Sequence, residues 1–116
     1  MNFNKKIGNT GEDLAIEFLK NNNYKIIERN FKKQYGEIDI IAFDKYEKVL
    51  VLIEVKTSNS DIEPEWQMTF KKIKNFQNIS YLYANNHPEY CKNGFRLDLI
   101  AINLKTNEIK HYKNIT

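Results

Sequence analysis

Residues 36–57 read GEIDIIAFDKYEKVLVLIEVKT and contain two apolar segments on either side of a short polar one. The apolar segments, residues 36–43 and 49–57, are rich in β-branched residues, which favours two β-strands. The polar residues between them predict a turn, so the stretch is typical of an antiparallel hairpin. This hairpin decides the fold, because both of its faces are largely apolar and must be covered by other elements.

The register of the hairpin brings charged side chains together. A four-residue loop over residues 45–48 places Asp39 opposite Glu54 and Glu37 opposite Lys56. Opposed residues point to the same face of a sheet. A slip of one residue would turn Asp39 to the other face, so the prediction depends on this register.

The two predicted faces differ in composition. One is apolar throughout, with Ile38, Ile40, Ala42, Val51, Ile53 and Val55. The other is apolar at one end, with Ile41, Phe43, Leu50 and Leu52, and charged at its other end, with Glu37, Asp39, Glu54 and Lys56. The charges therefore lie at one end of a half-buried sheet.

Paired carboxylates are costly at such a position. With Cβ atoms roughly 5 Å apart, two carboxylates repel by about 3 kcal/mol at an effective dielectric constant of ~20. A divalent cation removes this conflict, and Mg²⁺ accepts one or two carboxylates while keeping waters for a substrate phosphate. We therefore predict that Asp39 and Glu54 bind Mg²⁺, with Mn²⁺ as a substitute, and that Lys56 acts in phosphodiester hydrolysis. The alternative is a structural strand end, since Glu-Val-Lys is a common tripeptide in exposed strands.

The remainder of the 116-residue chain is expected to form the elements that cover the two faces of the hairpin. Apolar periodicity predicts helices over residues 10–20 and from Pro64 to about residue 85, with Thr10 and Asp13 resembling a capping box. Further strands are predicted over residues 24–31, 95–102 and 108–112. The expected fold is a single α/β domain over residues 1–116, with one mixed sheet of about five strands and two flanking helices.

Composition narrows the range of functions. The net charge of +3 permits a polyanionic partner without requiring one. Cys91 is the only cysteine, so an internal disulfide and a thiolate zinc cluster are excluded, as suits a cytoplasmic protein. The longest apolar run, residues 49–53, is too short to cross a membrane, and no signal peptide is recognisable, so we expect a soluble protein without a membrane partner.

Four motifs follow one another along the chain: Gly8-x-x-Gly11-Glu12, residues 36–42, residues 53–56 and Phe95-Arg96-Leu97-Asp98. Together they resemble the YraN-like family of small bacterial proteins, which is related to Holliday-junction resolvases within the PD-(D/E)XK nuclease superfamily. The resemblance covers nearly the whole chain and implies a restriction-endonuclease-like core, a Mg²⁺-dependent endonuclease activity, and DNA as the partner. It also makes a homodimer an expected assembly, because resolvase-like enzymes act on symmetric substrates.

The resemblance assigns roles to individual residues. Asp39 matches the metal-binding aspartate, Glu54 the acid of the (D/E)XK element, and Lys56 its lysine. Glu12 matches the helix-borne acid of the resolvase-like branch, which implies a third metal ligand. For Glu12 the alternative is an acid in the first helical turn, where the helix dipole favours it.

The second predicted helix carries a cluster of lysines. Lys71, Lys72 and Lys74 are candidate contacts to the DNA backbone, consistent with the basic start that this helix has in the resembled family. The alternative is a solvated helix face. The sequence departs mildly from the family at Ser80, where an alanine is common, and in the Arg96-Leu97-Asp98 segment, for which we expect a structural role.

Two other classes of function compete with a nuclease. The chain is alternatively an inactive nucleic-acid-binding or adaptor protein on a nuclease scaffold, which its mild charge would suit. A structural subunit of a larger complex would leave no mark in the sequence. The Asp39, Glu54 and Lys56 set favours the nuclease, because an inactive site has little reason to keep two close carboxylates. We expect it to act on branched or damaged DNA in repair or recombination.

Overall fold

The computed structural model describes residues 3–34, 36–60 and 69–115. Seven main elements follow one another: α1 (Phe3–Asn21), β1 (Tyr24–Lys33), β2 (Gly36–Asp44), β3 (Val49–Ser58), α2 (Phe70–Asn86), β4 (Phe95–Asn103) and β5 (Glu108–Tyr112). A short 3-10 turn, Pro88–Tyr90, joins α2 to β4. The predicted order of helices and strands is confirmed.

The five strands form one sheet in the order β1-β2-β3-β4-β5. Strands β3 and β4 are parallel, and every other neighbouring pair is antiparallel. The sheet is therefore mixed, as predicted, and α2 provides the crossover between its parallel strands.

The two helices cover opposite faces of the sheet. Ala15 and Leu19 of α1 pack on a cluster that includes Ile40, Ile53 and Ile100. On the other face, α2 buries Phe76, Ile79, Tyr83 and Ala84 against a cluster of Ile38, Ile41, Leu50, Leu52 and Leu97. The central hairpin is thus covered on both sides, which explains its two apolar faces.

Helix boundaries differ from those predicted. Helix α1 begins at Phe3, so Thr10 is not a capping residue and Glu12 does not lie in the first turn. Helix α2 is capped by Thr69, whose side chain accepts a hydrogen bond from the backbone N–H of Lys72 at 3.2 Å. The predicted start of this helix at Pro64 lies outside the described residues.

The predicted register of the hairpin holds near the turn and ends before the charged residues. Pairing runs from Asp44–Val49 to Ile40–Ile53 and does not continue to Asp39 and Glu54. The prediction that Asp39 lies opposite Glu54, and Glu37 opposite Lys56, is therefore wrong in detail. The two strands diverge there, and a side chain takes the place of the missing backbone partner.

The alternation of side chains between the two faces of the sheet also fails at this point, in both β1 and β2. Arg29 pairs with Ile40 and Phe31 with Ile38, which leaves Asn30 and Asp39 between the two pairs. Asn30 has a φ of 55°, a left-handed conformation that asparagine adopts more readily than most residues. Ile38 consequently packs on the α2 side whereas Ile40 packs on the α1 side. The prediction that both lie on one face is wrong because strict alternation fails at this point.

Candidate active site

Asp39 lies in the gap where β2 and β3 diverge. One of its carboxylate oxygens, Oδ2, accepts a hydrogen bond from the backbone N–H of Val55 at 2.7 Å. The side chain is only 6% exposed. Asp39 therefore replaces the backbone partner that Val55 has lost, and its carboxylate lies between the two faces of the sheet.

Glu54 and Lys56 lie on either side of Val55 in β3. Alternation from Leu50 and Leu52 places both on the α2 face. The Lys56 ammonium nitrogen is 3.0 Å from Glu54 Oε1, and both side chains are more than four-fifths buried. The predicted lysine and acid are thus brought together in a partly desolvated ion pair.

The electrostatics of the two acids are strongly unfavourable to full ionisation. Burial, and then the charge of Glu54, raise the pKa of Asp39 to about 8. Burial also raises the pKa of Glu54, although Lys56 and a hydrogen bond with Asp39 oppose this shift. The pair holds an extra proton near neutral pH, which is the behaviour of two carboxyl groups that share one site.

Glu12 approaches Asp39 from the α1 side. Gly11 makes this possible, because a Cβ atom at that position would overlap the Thr57 hydroxyl on β3. Burial raises the pKa of Glu12, and the Glu12 charge in turn contributes to the raised pKa of Asp39. Its Oε2 atom is buried without a hydrogen-bond partner among the described residues.

A pocket of about 190 Å³ opens beside Glu54 and Lys56 on the α2 side. It is lined by Gly36, Glu37, Glu54, Lys56, Lys72, Asn75 and Phe76. Of the three lysines predicted to contact DNA, only Lys72 lines this pocket, while Lys71 and Lys74 are exposed elsewhere on α2. The structure therefore distinguishes three residues that the sequence treats alike.

Glu37 is a site residue that sequence reasoning did not select. Its negative charge raises the pKa of Glu12, Asp39 and Glu54 alike. Its carboxylate is about half exposed and lies 3.7 Å from the Lys32 ammonium nitrogen. The signal was available, since the predicted hairpin already put Glu37 at the charged end.

The oxygen donors suit a hard divalent cation, although they do not form a closed cage. Among the described residues, no group of three or more histidine, cysteine, aspartate or glutamate side chains is arranged to hold a metal ion. The close pair is Asp39 and Glu54. Glu12 Oε2 is buried without a hydrogen-bond partner among the described residues and lies 3.6 Å from Arg29 Nη2. Two carboxylates with open positions fit Mg²⁺, which retains several waters when it binds.

A second buried polar network lies on the α1 face and is structural. Arg96 makes two hydrogen bonds with Asp98, both at 2.9 Å, and contacts Asp44 at 3.2 Å. His111 Nε2 lies 2.7 Å from Asp98, a contact that the sequence did not predict. All of Arg96's neighbours satisfy or balance its charge, so this cluster joins strands rather than forming an open site.

No helix among the described residues is long and apolar enough to cross a lipid bilayer.

The family described as Uncharacterised protein family UPF0102 matches residues 11–102. A UPF0102 protein from Clostridium botulinum is 43% identical over 105 residues, which cover 89% of this chain and 84% of the relative. A UPF0102 protein from Campylobacter lari is 38% identical over 110 residues, covering 94% of this chain and 92% of the relative. The matched region contains every acid of the site just described.

Proposed function

This chain belongs to the UPF0102 family, and we propose that it is a Mg²⁺-dependent endonuclease that hydrolyses phosphodiester bonds in DNA. One observation carries the proposal. Two buried carboxyl groups, Asp39 and Glu54, interact closely enough for Glu54 to help raise the pKa of Asp39, and the Lys56 ammonium nitrogen lies 3.0 Å from Glu54 Oε1 beside an open pocket. The resemblance of the motifs to the YraN-like branch of the PD-(D/E)XK superfamily supports the same reading.

Each residue has a distinct part in the proposed reaction. Asp39 and Glu54 would hold the cation; when bound, Mg²⁺ supplies positive charge that polarises the scissile phosphate. The ammonium group of Lys56 donates hydrogen bonds to the phosphoryl oxygens, on which negative charge develops, and orients the attacking water. Lys72 and Asn75 offer a cation and an amide to the phosphate from the opposite wall of the pocket.

Cleavage assays test the catalytic part. The wild-type protein is expected to cut a four-way or nicked DNA substrate with Mg²⁺ or Mn²⁺, and not with EDTA. Asp39→Asn, which preserves the shape and the acceptor for Val55, and Lys56→Met should each lower the rate by at least about a hundredfold. Glu17→Gln, an exposed acid on α1, is the matched control and should leave the rate unchanged.

Measurements of DNA binding test whether DNA is the substrate and whether the protein is instead an inactive adaptor. In Ca²⁺, Lys72→Ala should weaken DNA binding and reduce the slope of log K against log salt by about one, whereas Lys92→Ala in the loop before β4 should not. DNA binding that is unchanged in Asp39→Asn, with no cleavage by the wild-type protein, would instead support an inactive adaptor.

A further inference from the structure

The end of β1 lies beside the pocket of the candidate active site. Lys32 pairs with Glu37 across the β1–β2 ladder, and Lys33 pairs with Gly36. Both partners, Glu37 and Gly36, line the pocket. Paired residues of antiparallel strands have Cα atoms about 4.5–5.5 Å apart, so the two lysines start at the rim of the pocket.

The ammonium group of Lys32 lies next to an acid of the pocket. Its nitrogen is 3.7 Å from Glu37 Oε2, and the two side chains are 72% and 47% exposed. An ion pair this open to water contributes little to stability, so Lys32 can exchange the carboxylate for a phosphate group at small cost. The contact therefore keeps Lys32 at the rim and leaves it available to a second anion.

Lys33 is held at the same rim by an aromatic ring. Its ammonium nitrogen lies 5.4 Å from the centre of the Phe31 ring. Phe31 in turn packs edge-on against Tyr83 of α2, with ring centroids 4.9 Å apart. This contact places Lys33 on the α2 face of the sheet, on which the pocket also opens. Because Lys33 is exposed, its ammonium group can bind an anion from the solvent side.

The charges that line the pocket balance one another. They comprise two acids and two cations, Glu37, Glu54, Lys56 and Lys72, and the Lys56 ammonium nitrogen lies 3.0 Å from Glu54 Oε1. DNA is a dense polyanion, and proteins bind it by neutralising several phosphates with lysine or arginine. The two lysines at the end of β1 give this rim the positive charge that the pocket itself does not have in excess.

We propose that Lys32 and Lys33 bind phosphate groups of the DNA backbone next to the one that enters the pocket, so that β1 and α2 together hold the strand. This inference rests on the proposed function, because it concerns the same substrate. The two elements form one continuous surface at Gly36, where an added Cβ atom would lie 3.7 Å from the backbone oxygen of Asn75 on α2.

The test is binding of a fluorescein-labelled four-way DNA junction in Ca²⁺, measured by fluorescence anisotropy over a series of salt concentrations. Lys32→Gln and Lys33→Gln should each weaken binding and reduce the slope of log K against log salt by about one, as expected for one lost phosphate contact. Lys45→Gln is the matched control, because it removes the same charge from an exposed lysine in the β2–β3 turn, at the end of the hairpin away from the pocket. It should keep the wild-type slope, and all three variants should keep the wild-type thermal midpoint.

Glu37 provides a second measurement, with the opposite sign. Glu37→Gln removes the carboxylate that competes with DNA for Lys32, so it should tighten binding of the same junction several-fold. If Lys32 then contacts a phosphate, the gain should shrink when Glu37→Gln is combined with Lys32→Gln. An equal gain in both backgrounds would show that Glu37 acts only by general repulsion, and would contradict the role of Lys32.

The outcomes separate this inference from the proposed function. Unchanged slopes in Lys32→Gln and Lys33→Gln, or an equal loss in Lys45→Gln, overturn the inference, and cleavage of the junction by the wild-type protein in Mg²⁺ would still support the nuclease. Reduced slopes in the two β1 variants, with no cleavage by the wild-type protein, support the DNA-binding surface and overturn the proposed activity.

Discussion

At the level of single side chains, the ionisation of Asp39 links the site to stability. Its pKa is raised from 3.8 to about 8 by burial and by Glu54, so between these values the folded protein binds more protons than the unfolded chain. Stability must therefore fall as pH rises through this window. The raised pKa of Glu54 adds to the same trend.

Thermal denaturation in EDTA should show this dependence directly. The midpoint of the wild-type protein is expected to fall between pH 5 and pH 8. Asp39→Asn should be more stable than the wild type at pH 8 by about 1 kcal/mol, which is less than the equivalent of one pKa unit. Glu17→Gln should keep the wild-type slope. A flat wild-type profile would show that folding does not raise the pKa of Asp39.

Added Mg²⁺ should restore the stability that the protein loses as the pH rises. Because a cation replaces the shared proton, Mg²⁺ should raise the midpoint more at pH 8 than at pH 5, and should have little effect on Asp39→Asn. Differential scanning calorimetry at both pH values measures the difference. An equal rise in the wild type and the variant would place the ion elsewhere.

The sequence identified Asp39, Glu54 and Lys56 because residue types alone put acids and a lysine at one end of an apolar hairpin. It did not identify the break in alternation at Asn30, since a left-handed asparagine leaves no mark in an otherwise regular strand pattern. It also misplaced Ile38, for the same reason. The error is local: the assumption of strict alternation fails at the point where the site is built.

Among the helices and strands, the docking of α1 on β3 depends on a single glycine. A methyl group at Gly11 would overlap the Thr57 hydroxyl and approach two carbon atoms of Thr57 at 3.1 Å. Gly11→Ala should therefore destabilise the protein by about 1–3 kcal/mol, even though alanine is intrinsically better in a helix by about 1 kcal/mol.

A double variant checks the cause by denaturant unfolding. Thr57→Ala removes the hydroxyl and one methyl group, so Gly11→Ala with Thr57→Ala should lose less than the two single changes summed. Gly36→Ala is the control, because its added Cβ would meet nothing closer than 3.7 Å. Simple additivity of the two changes would argue against a steric cause.

The same contact explains why the start of α1 was predicted too late. Thr10 followed by Asp13 imitates a helix cap, which predicts that the helix starts there. The helix nevertheless runs through Gly11, whose lack of a side chain allows close approach to β3. Tertiary packing thus outweighs local propensity at this position, and no feature of the isolated segment reveals its distant partner.

Across the whole molecule, Arg96 joins parts of the chain that are far apart in sequence. Its guanidinium group contacts Tyr24 on β1, Asp44 and Glu47 at the β2–β3 turn, and Asp98 on β4. Hydrogen bonds with Asp98 contribute most to keeping the Arg96 pKa above its ordinary value, and the pKa of Asp98 is lowered by His111 and by Arg96 despite burial. Arg96 therefore connects the strands of the sheet at the end where the β2–β3 turn lies, and the candidate site lies at the other end of β2 and β3.

Removal of Arg96 should be among the most damaging substitutions. Arg96→Met leaves buried Asp98 and Asp44 without their cation, and we expect a loss of about 3–5 kcal/mol in the free energy of unfolding. Urea denaturation measures this loss. Lys110→Met, in the exposed pair with Glu108, should cost less than about 0.5 kcal/mol; comparable losses for both would contradict a special role for the buried network.

The single parallel pairing has a consequence for how the protein is made. Residues up to Ser58 can form the β1-β2-β3 meander during synthesis. Strand β3 cannot pair with β4 until Phe95, the partner of Leu50, has been synthesised. Until then β3, which contains the longest unbroken apolar run of the chain, is an open edge, and newly made proteins associate through such exposed strands. Pulsed hydrogen exchange during refolding should find β2–β3 amides protected before β3–β4 amides. Nascent chains arrested ahead of β4 should be the aggregation-prone species.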